Sequence, residues 1–302
     1  MLKIQIGTCL RPSGAQTLAF PTATVMYMAE RIFPNEIFCL IVEILADDVP
    51  SLQNISLVCK ELLQLSRPLI FCDIDLAERF LVPLSRVNPF LHLIRDPQSE
   101  YLRDYVQRLS INPAMFGRHS AKFNFIFQNL PSLDSLRLMS LDHAVFPIVQ
   151  AHLTEKLIEL RISESIFSDP EYVEPFQHLL TSFTRLRYLA LDDLDMVIGH
   201  EQEIILPCTL EVLSLSYLET ELLRAIALGM KTSWPPSLKS VIITYSSFTK
   251  IGRIFWEAIN SNTQLVLDID DVDPFDKPGK RKSISLSKSS YSHGPRHLQH
   301  SR

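Results

Sequence analysis

Side chains able to do chemistry are common in this chain, but few of them stand at the spacings that chemistry requires. Cys9, Cys39, Cys59, Cys72 and Cys208 form no C-x-x-C pair and have no spaced histidine partners, so neither a zinc site nor a redox pair is indicated. The odd count, with Cys39, Cys59 and Cys72 inside apolar runs, fits reduced thiols acting as small hydrophobes. His293, His297 and His300 approach the helical spacing of metal ligands, yet they sit in a polar tail with nothing to fold around an ion. His143 and His152 belong to no ligand or triad pattern. The run Asp268-Ile269-Asp270-Asp271-Val272-Asp273 is acidic enough to attract a cation but lacks the turn glycine and closing glutamate of a calcium loop. It reads as the solvated end of a terminal strand. With only eight glycines the chain offers no phosphate-cradling loop, and neither G-x-S-x-G nor H-E-x-x-H occurs. Lys280-Arg281-Lys282 before Ser283 has the form of a nuclear import signal or a kinase site. No catalytic residue, metal or cofactor is expected.

Charge narrows the partners. Residues 277–302 hold seven lysines and arginines and no acid, so the body before them carries the whole chain's −5 less those seven, or −12. A body that acidic is poorly suited to a phosphate backbone, and nucleic acid is not an expected partner. No apolar run reaches the length of a membrane span, since the stretch Ile37–Ala46 is cut by Glu43, and no membrane partner is expected. Residues 1–31 carry no sustained period and are expected to be a disordered leader, with Met26 or Met28 an alternative start. A signal peptide is disfavoured by Pro21 and by the polar Gln16, Thr17, Thr22 and Thr24. The tail has almost no large apolar residue, so it is expected to be disordered, and cutting after Asp276 is expected to leave thermal stability unchanged.

The elements that must position any binding residue are legible from periodicity. Residues 32–76 are dense in aliphatics. Asn35 is a candidate helix cap, and Ile37, Leu40, Ile41, Ile44 and Leu45 follow an amphipathic helical pattern with Phe38, Cys39 and Val42 on its flanks. Ser51 is a candidate cap for a second helix, and further helical spacing runs to Arg67-Pro68, followed by a strand-like stretch from Leu69 to Leu76. So many apolar positions on one short helix exceed what a single buried face requires.

Residues 77–276 repeat. The phrase L-x-x-L-x-L occurs as Val106-x-x-Leu109-x-Ile111, Leu133-x-x-Leu136-x-Leu138, Leu157-x-x-Leu160-x-Ile162, Leu186-x-x-Leu189-x-Leu191, Leu210-x-x-Leu213-x-Leu215 and Leu238-x-x-Val241-x-Ile243, with a worn copy at Asn262-x-x-Leu265-x-Leu267. Successive middle positions lie 27, 24, 29, 24, 28 and 24 residues apart, within the roughly 20–29-residue period of leucine-rich repeats. Helical spacing at Phe123–Leu130, Val173–Leu180 and Leu222–Ala227, and prolines at 131, 207, 235 and 236, fit helices ending before the next phrase. The usual Asn or Cys three residues past each phrase is replaced by Leu141, Ser165, Leu194, Leu218 and Ser246. Alternation within each phrase places Arg137, Met139, Arg161, Tyr188, Asp192, Ser214 and Ile242 on an open sheet face, where they are candidates for holding a protein substrate.

Residues 33–76, FPNEIFCLIVEILADDVPSLQNISLVCKELLQLSRPLIFCDIDL, resemble the F-box-like segment of fungal F-box/leucine-rich-repeat proteins. The likeness is carried by Phe33-Pro34-Asn35-Glu36-Ile37, by Ser56-Leu57-Val58-Cys59-Lys60 and by Ile70-Phe71-Cys72-Asp73-Ile74. Phe33 stands where the family usually has Leu, and Leu62 where it often has Trp. The resemblance implies binding to a Skp-family adaptor and, through it, a cullin scaffold, with contacts from Phe33, Pro34, Ile37, Ile41, Leu57, Cys59, Lys60 and Leu62. The expected fold is α/β, with a short N-terminal three-helix F-box-like module at 32–76 followed by an irregular leucine-rich-repeat solenoid over 77–276. The expected function is substrate recognition in a Skp–cullin–F-box ubiquitin ligase, in the cytoplasm and/or nucleus. A repeat scaffold that recruits no ligase is the alternative.

Overall fold

The computed structural model describes residues 34–77, 86–116, 120–245, 255, 257–259, 263–269 and 282–287. The N-terminal described segment forms three helices, α1 (Asn35–Ile44), α2 (Val49–Ile55) and α3 (Lys60–Phe71), and then strand β1 (Asp73–Leu76). Strands β2 (Arg108–Ile111), β3 (Ser135–Met139), β4 (Glu159–Phe167), β5 (Tyr188–Met196), β6 (Val212–Ser216), β7 (Ser240–Tyr245) and β8 (Gln264–Ile269) follow. Between them lie α4 (Val87–Arg95), α5 (Ser120–Gln128), α6 (Phe146–Leu153), α7 (Val173–Ser182) and α8 (Thr220–Thr232). A ninth strand, β9 (Lys282–Ser287), closes the order.

The strands lie side by side in chain order, β1 to β8 parallel and β9 antiparallel to β8. Each L-x-x-L-x-L phrase contributes a strand, and the register stacks like on like. Leu109, Leu136, Leu160, Leu189, Leu213, Val241 and Leu265 are lateral partners, as are Ile111, Leu138, Ile162, Leu191, Leu215 and Ile243. The first position of each described phrase is buried as well. A parallel ladder needs a crossover after every strand, and α5, α6 and α7 supply neighbouring crossovers that pack on one another in sequence. Phe146, Phe167 and Phe176 meet between them with ring centroids 5.7–6.1 Å apart. One core runs from Leu76 to Leu265.

The α/β class stands, but the arrangement expected within it is corrected. The chain is not a three-helix F-box-like module followed by a leucine-rich-repeat solenoid. Among the described residues eight parallel strands form a single sheet whose first member belongs to the N-terminal segment. The reason lies in β1: its backbone pairs with β2, Gln107 and Arg108 both donate to the Cys72 carbonyl, and Leu76 enters the main core. Helices α1–α3 keep a small core of their own around Val42, Leu52 and Leu62. They lean on the rest of the chain through α3, where Arg67 lies 5.5 Å from the Tyr101 ring centroid.

Local details also differ from expectation. Pro34, not Asn35, precedes the first helical residue, and no side chain caps α1. Asp48 caps α2, accepting from the Ser51 amide at 3.2 Å and the Ser51 hydroxyl at 2.6 Å, and these bonds lower the Asp48 pKa. Pro68 does not end α3, because it stands near the C-terminal end, where the missing N–H costs one bond, and Leu69–Phe71 continue the helix. The tail expected to be disordered contains β9, since the open edge of β8 offers its backbone partners. Cutting after Asp276 would therefore remove a strand. Residues 1–31 lie outside the described residues.

At the same register point in four successive strands the backbone turns through a positive φ: Ser140 (51°), Glu164 (53°), Asp193 (50°) and Tyr217 (52°). Each follows a member of the lateral row Met139, Ser163, Asp192 and Ser216. The next residues, Leu141, Ser165, Leu194 and Leu218, are all buried. The bend thus redirects the chain inward three residues past the end of each phrase. Buried Ser165 accepts from the Leu141 amide at 2.8 Å and donates to the Ser163 carbonyl at 3.0 Å.

Leu189→Ala should lower unfolding free energy by ~2–5 kcal/mol, whereas Ala190→Ser beside it should cost little. Denaturant titration of the two variants checks the strand register. Gly229→Ala should also destabilise strongly, because a β-carbon on α8 would collide with the Ile204 backbone carbonyl.

Candidate functional site

Two surfaces gather the candidate residues. The first is α1 with the turn after α2. Val42 is the side of α1 that enters the small core, with Phe38 and Leu45 packed beside it. Ile37, Leu40, Ile41 and Ile44 are exposed, Ile44 to 73%. At i, i+3, i+4 and i+7 these four make one continuous helical stripe. The amphipathic pattern in the sequence is real, but the face richer in isoleucine and leucine looks outward. In the turn between α2 and α3, Leu57 and Val58 are exposed to 84% and 71%.

Of the residues expected to meet an adaptor, Pro34, Ile37, Ile41, Leu57 and Lys60 are on the surface. Cys59 is half-buried against the small core. Leu62 is corrected: at 5% exposure it is part of that core, because α3 packs on α1 and α2 through it. Phe33 lies outside the described residues. Leu40, Ile44 and Val58 complete the stripe and the turn and were not among the expected contacts. Their signal was present in the helical spacing and in the S-L-V-C-K stretch.

The second surface is the sheet face opposite the leucine ladders. Strand alternation and register arrange it in rows. One row runs Asp73, Arg108, Ser135, Glu159, Tyr188, Val212, Ser240. The next runs Asp75, Ser110, Arg137, Arg161, Ala190, Ser214, Ile242. The third runs Met139, Ser163, Asp192, Ser216, Thr244. Arg161 is held by Glu159 at 2.5 Å, and its guanidinium carbon lies 5.0 Å from the Tyr188 ring centroid. Arg137 is the lateral neighbour of Arg161 and exposed. Asp73 pairs with Arg108 at 3.1 Å and raises the arginine's pKa.

Arg137, Arg161, Tyr188 and Asp192 are therefore brought together near the middle of the sheet, while Ser214 and Ile242 are half-buried members of the second row farther along. Met139 is corrected: at 5% exposure it is buried, so it cannot serve as an open contact. Glu159 and Ser163 share this face, as strand alternation leads one to expect, and Glu159 holds Arg161 two residues away. Ser163, 2% exposed, has no hydrogen-bond partner for its Oγ among the described residues.

Asp192 carries the electrostatic cost of this face. Partial burial, and then the nearby Asp193 and Glu164 carboxylates, raise its pKa, against the pull of Arg137. None of this assembles a nucleophile with a base. His143 stacks on Tyr172 at 4.3 Å, and His152 bonds Asn124 Oδ1 at 2.7 Å. Among the described residues no group of three or more His, Cys, Asp or Glu could hold a metal ion. Asp268 lies within β8, while Asp270–Asp273 and His293, His297 and His300 lie outside the described residues. A shallow depression by α7, lined by Pro170, Glu171, Glu174, Pro175, His178 and Gln202, has no catalytic pairing beyond His178 and Glu174 at 3.6 Å. Among the described residues no helix is long and apolar enough to cross a membrane.

No family model matches the chain, and no curated protein matches it.

Asp192→Asn should raise thermal stability near neutral pH. A folded carboxyl whose pKa lies above its unfolded value loses stability as pH climbs from the unfolded to the folded pKa. The gain from the amide should therefore fade as pH falls from the raised pKa to the ordinary aspartate range, and be gone below it. Melting curves of both proteins across that range check the sign.

Proposed function

We propose that the chain is a non-catalytic interaction subunit, the substrate-recognition component of a Skp–cullin–F-box ubiquitin ligase. In this reading α1 and the turn after α2 receive a Skp-family adaptor, which links to the cullin scaffold. The open sheet face holds a protein substrate, and other subunits carry out ubiquitin transfer. Such a role places the chain in the cytoplasm and/or nucleus.

The observation that carries the reading is the outward stripe Ile37, Leu40, Ile41 and Ile44. A helix already seated through Val42 has no need of a second apolar face for its own packing. Left in water, that face forgoes part of the about 1.5–3 kcal/mol that full burial of each large aliphatic side chain contributes. An amphipathic helix with anchors at this spacing suits a helical or grooved protein surface. The sequence likeness at 33–76 names the class of partner. On the sheet face, Arg161 and Tyr188 supply the guanidinium and aromatic groups that often anchor protein interfaces.

Ile44→Lys should weaken binding of a purified Skp-type adaptor to the full chain by ~100-fold. It removes an apolar anchor and sets a charge in a desolvated contact. Leu57→Lys should act in the same direction. Both positions are so exposed that melting temperature should hardly move, whereas Leu62→Ala should lower it. Calorimetric titration and thermal melts of the three variants check this together. Undiminished binding by both lysine variants would exclude this interface, and failure of the unmodified chain to bind would exclude the ligase assignment.

A further inference from the structure

The C-terminal strand joins two facts that the interaction surfaces leave unused. Lys280-Arg281-Lys282 immediately precedes Ser283. In the register of β8 and β9, Ser283 stands opposite Asp268, whereas Ser285 stands opposite Val266 and Ser287 opposite Gln264. We propose that Ser283 is a phosphorylation site for a kinase that selects serine behind consecutive basic residues, and that the phosphate releases β9 from β8.

Access and consequence both follow from the topology. Among the described residues β9 is the last strand of the sheet and the one antiparallel member, added to the outer edge of β8. Among the described residues it pairs with β8 alone, so presenting Ser283 to a kinase requires opening one ladder and disturbs none of the parallel strands. Asp268 lies in β8 and Lys282 opens β9, with Lys280 and Arg281 before it in the sequence. A phosphoserine adds about −1.5 to −2 charges at neutral pH. That sets a like charge at the register position opposite Asp268, an arrangement that destabilises an antiparallel pair.

The reaction is a phosphoryl transfer from magnesium-bound ATP. The Ser283 Oγ forms a bond to the γ-phosphorus as the bond from that phosphorus to the β–γ bridging oxygen breaks. The hydroxyl proton passes to the kinase's carboxylate base and ADP leaves, with no change in oxidation state.

The test uses the full chain, a purified basic-residue-directed serine kinase and Mg-ATP. Mass spectrometry locates the phosphate, and hydrogen exchange is followed in peptides covering 264–269 and 282–287. Phosphate is expected on Ser283, with exchange in these two strands faster on the order of tenfold and unchanged in β3–β5. Ser283→Ala should abolish the effect, and Asp268→Asn should leave Ser283 phosphorylated while shrinking the acceleration. Phosphate found elsewhere with Ser283 unmodified would overturn the site. Phosphorylated Ser283 with unchanged exchange, or equal acceleration in Asp268→Asn, would overturn the release.

Discussion

The structure depends on one constraint, that each parallel strand must meet the next in the register that stacks its two inner aliphatic positions on their counterparts. A slip of one residue would turn Leu189 and Leu191 outward and bring Tyr188, Ala190 and Asp192 into the core. Each strand has only about two such residues to bury, so no strand is stable alone. The crossover helices act on the same ladder from behind, and the shared positive-φ bend brings Leu141, Ser165, Leu194 and Leu218 in beneath it. Non-glycine residues hold that bend at a local conformational cost. The register they share indicates that the cost is offset by the burial of the residue that follows.

The same register builds the open face. Charged and aromatic residues on alternate positions are brought into rows because the leucines behind them are aligned. Arg161 comes to lie between Glu159 and Tyr188 for that reason, and Arg137 beside Arg161. Asp192 is partly buried and has Asp193 and Glu164 nearby, and both effects raise its pKa. The N-terminal helices have a different economy. Their small core around Val42, Leu52 and Leu62 is completed by what α3 and β1 share with the rest of the chain, and the outer stripe of α1 is left to solvent. On the proposed reading, that stripe is a surface awaiting an adaptor.

Much of this was legible in the sequence because periodicity reports burial directly. The strands containing Leu109, Leu136, Leu160, Leu189, Leu213 and Val241, and the helices at Phe123, Val173 and Leu222, stand where the spacing puts them. Which side of α1 is inside was not legible. Both sides are apolar, and the choice of Val42 over Ile44 is made by what α2 and α3 present to it. The division of the chain was misjudged for a similar reason: a four-residue strand such as β1 shows no boundary in composition, and its membership in the sheet is decided by backbone pairing with β2. β9 escaped notice because its burial signal is weak and its partner, β8, lies across an acidic stretch. Leu62 and Met139 were assigned to surfaces on the strength of position within a motif, and packing placed them inside.

On the proposed reading, the outward face of α1 and the turn after α2 are the adaptor-binding surface. The most direct measurement is hydrogen exchange of the full chain with and without a saturating Skp-type adaptor, read peptide by peptide. Slowed exchange confined to residues 35–44 and 56–60 is expected, with β3–β7 unaffected. Exchange at 35–44 that is the same with and without adaptor would contradict it.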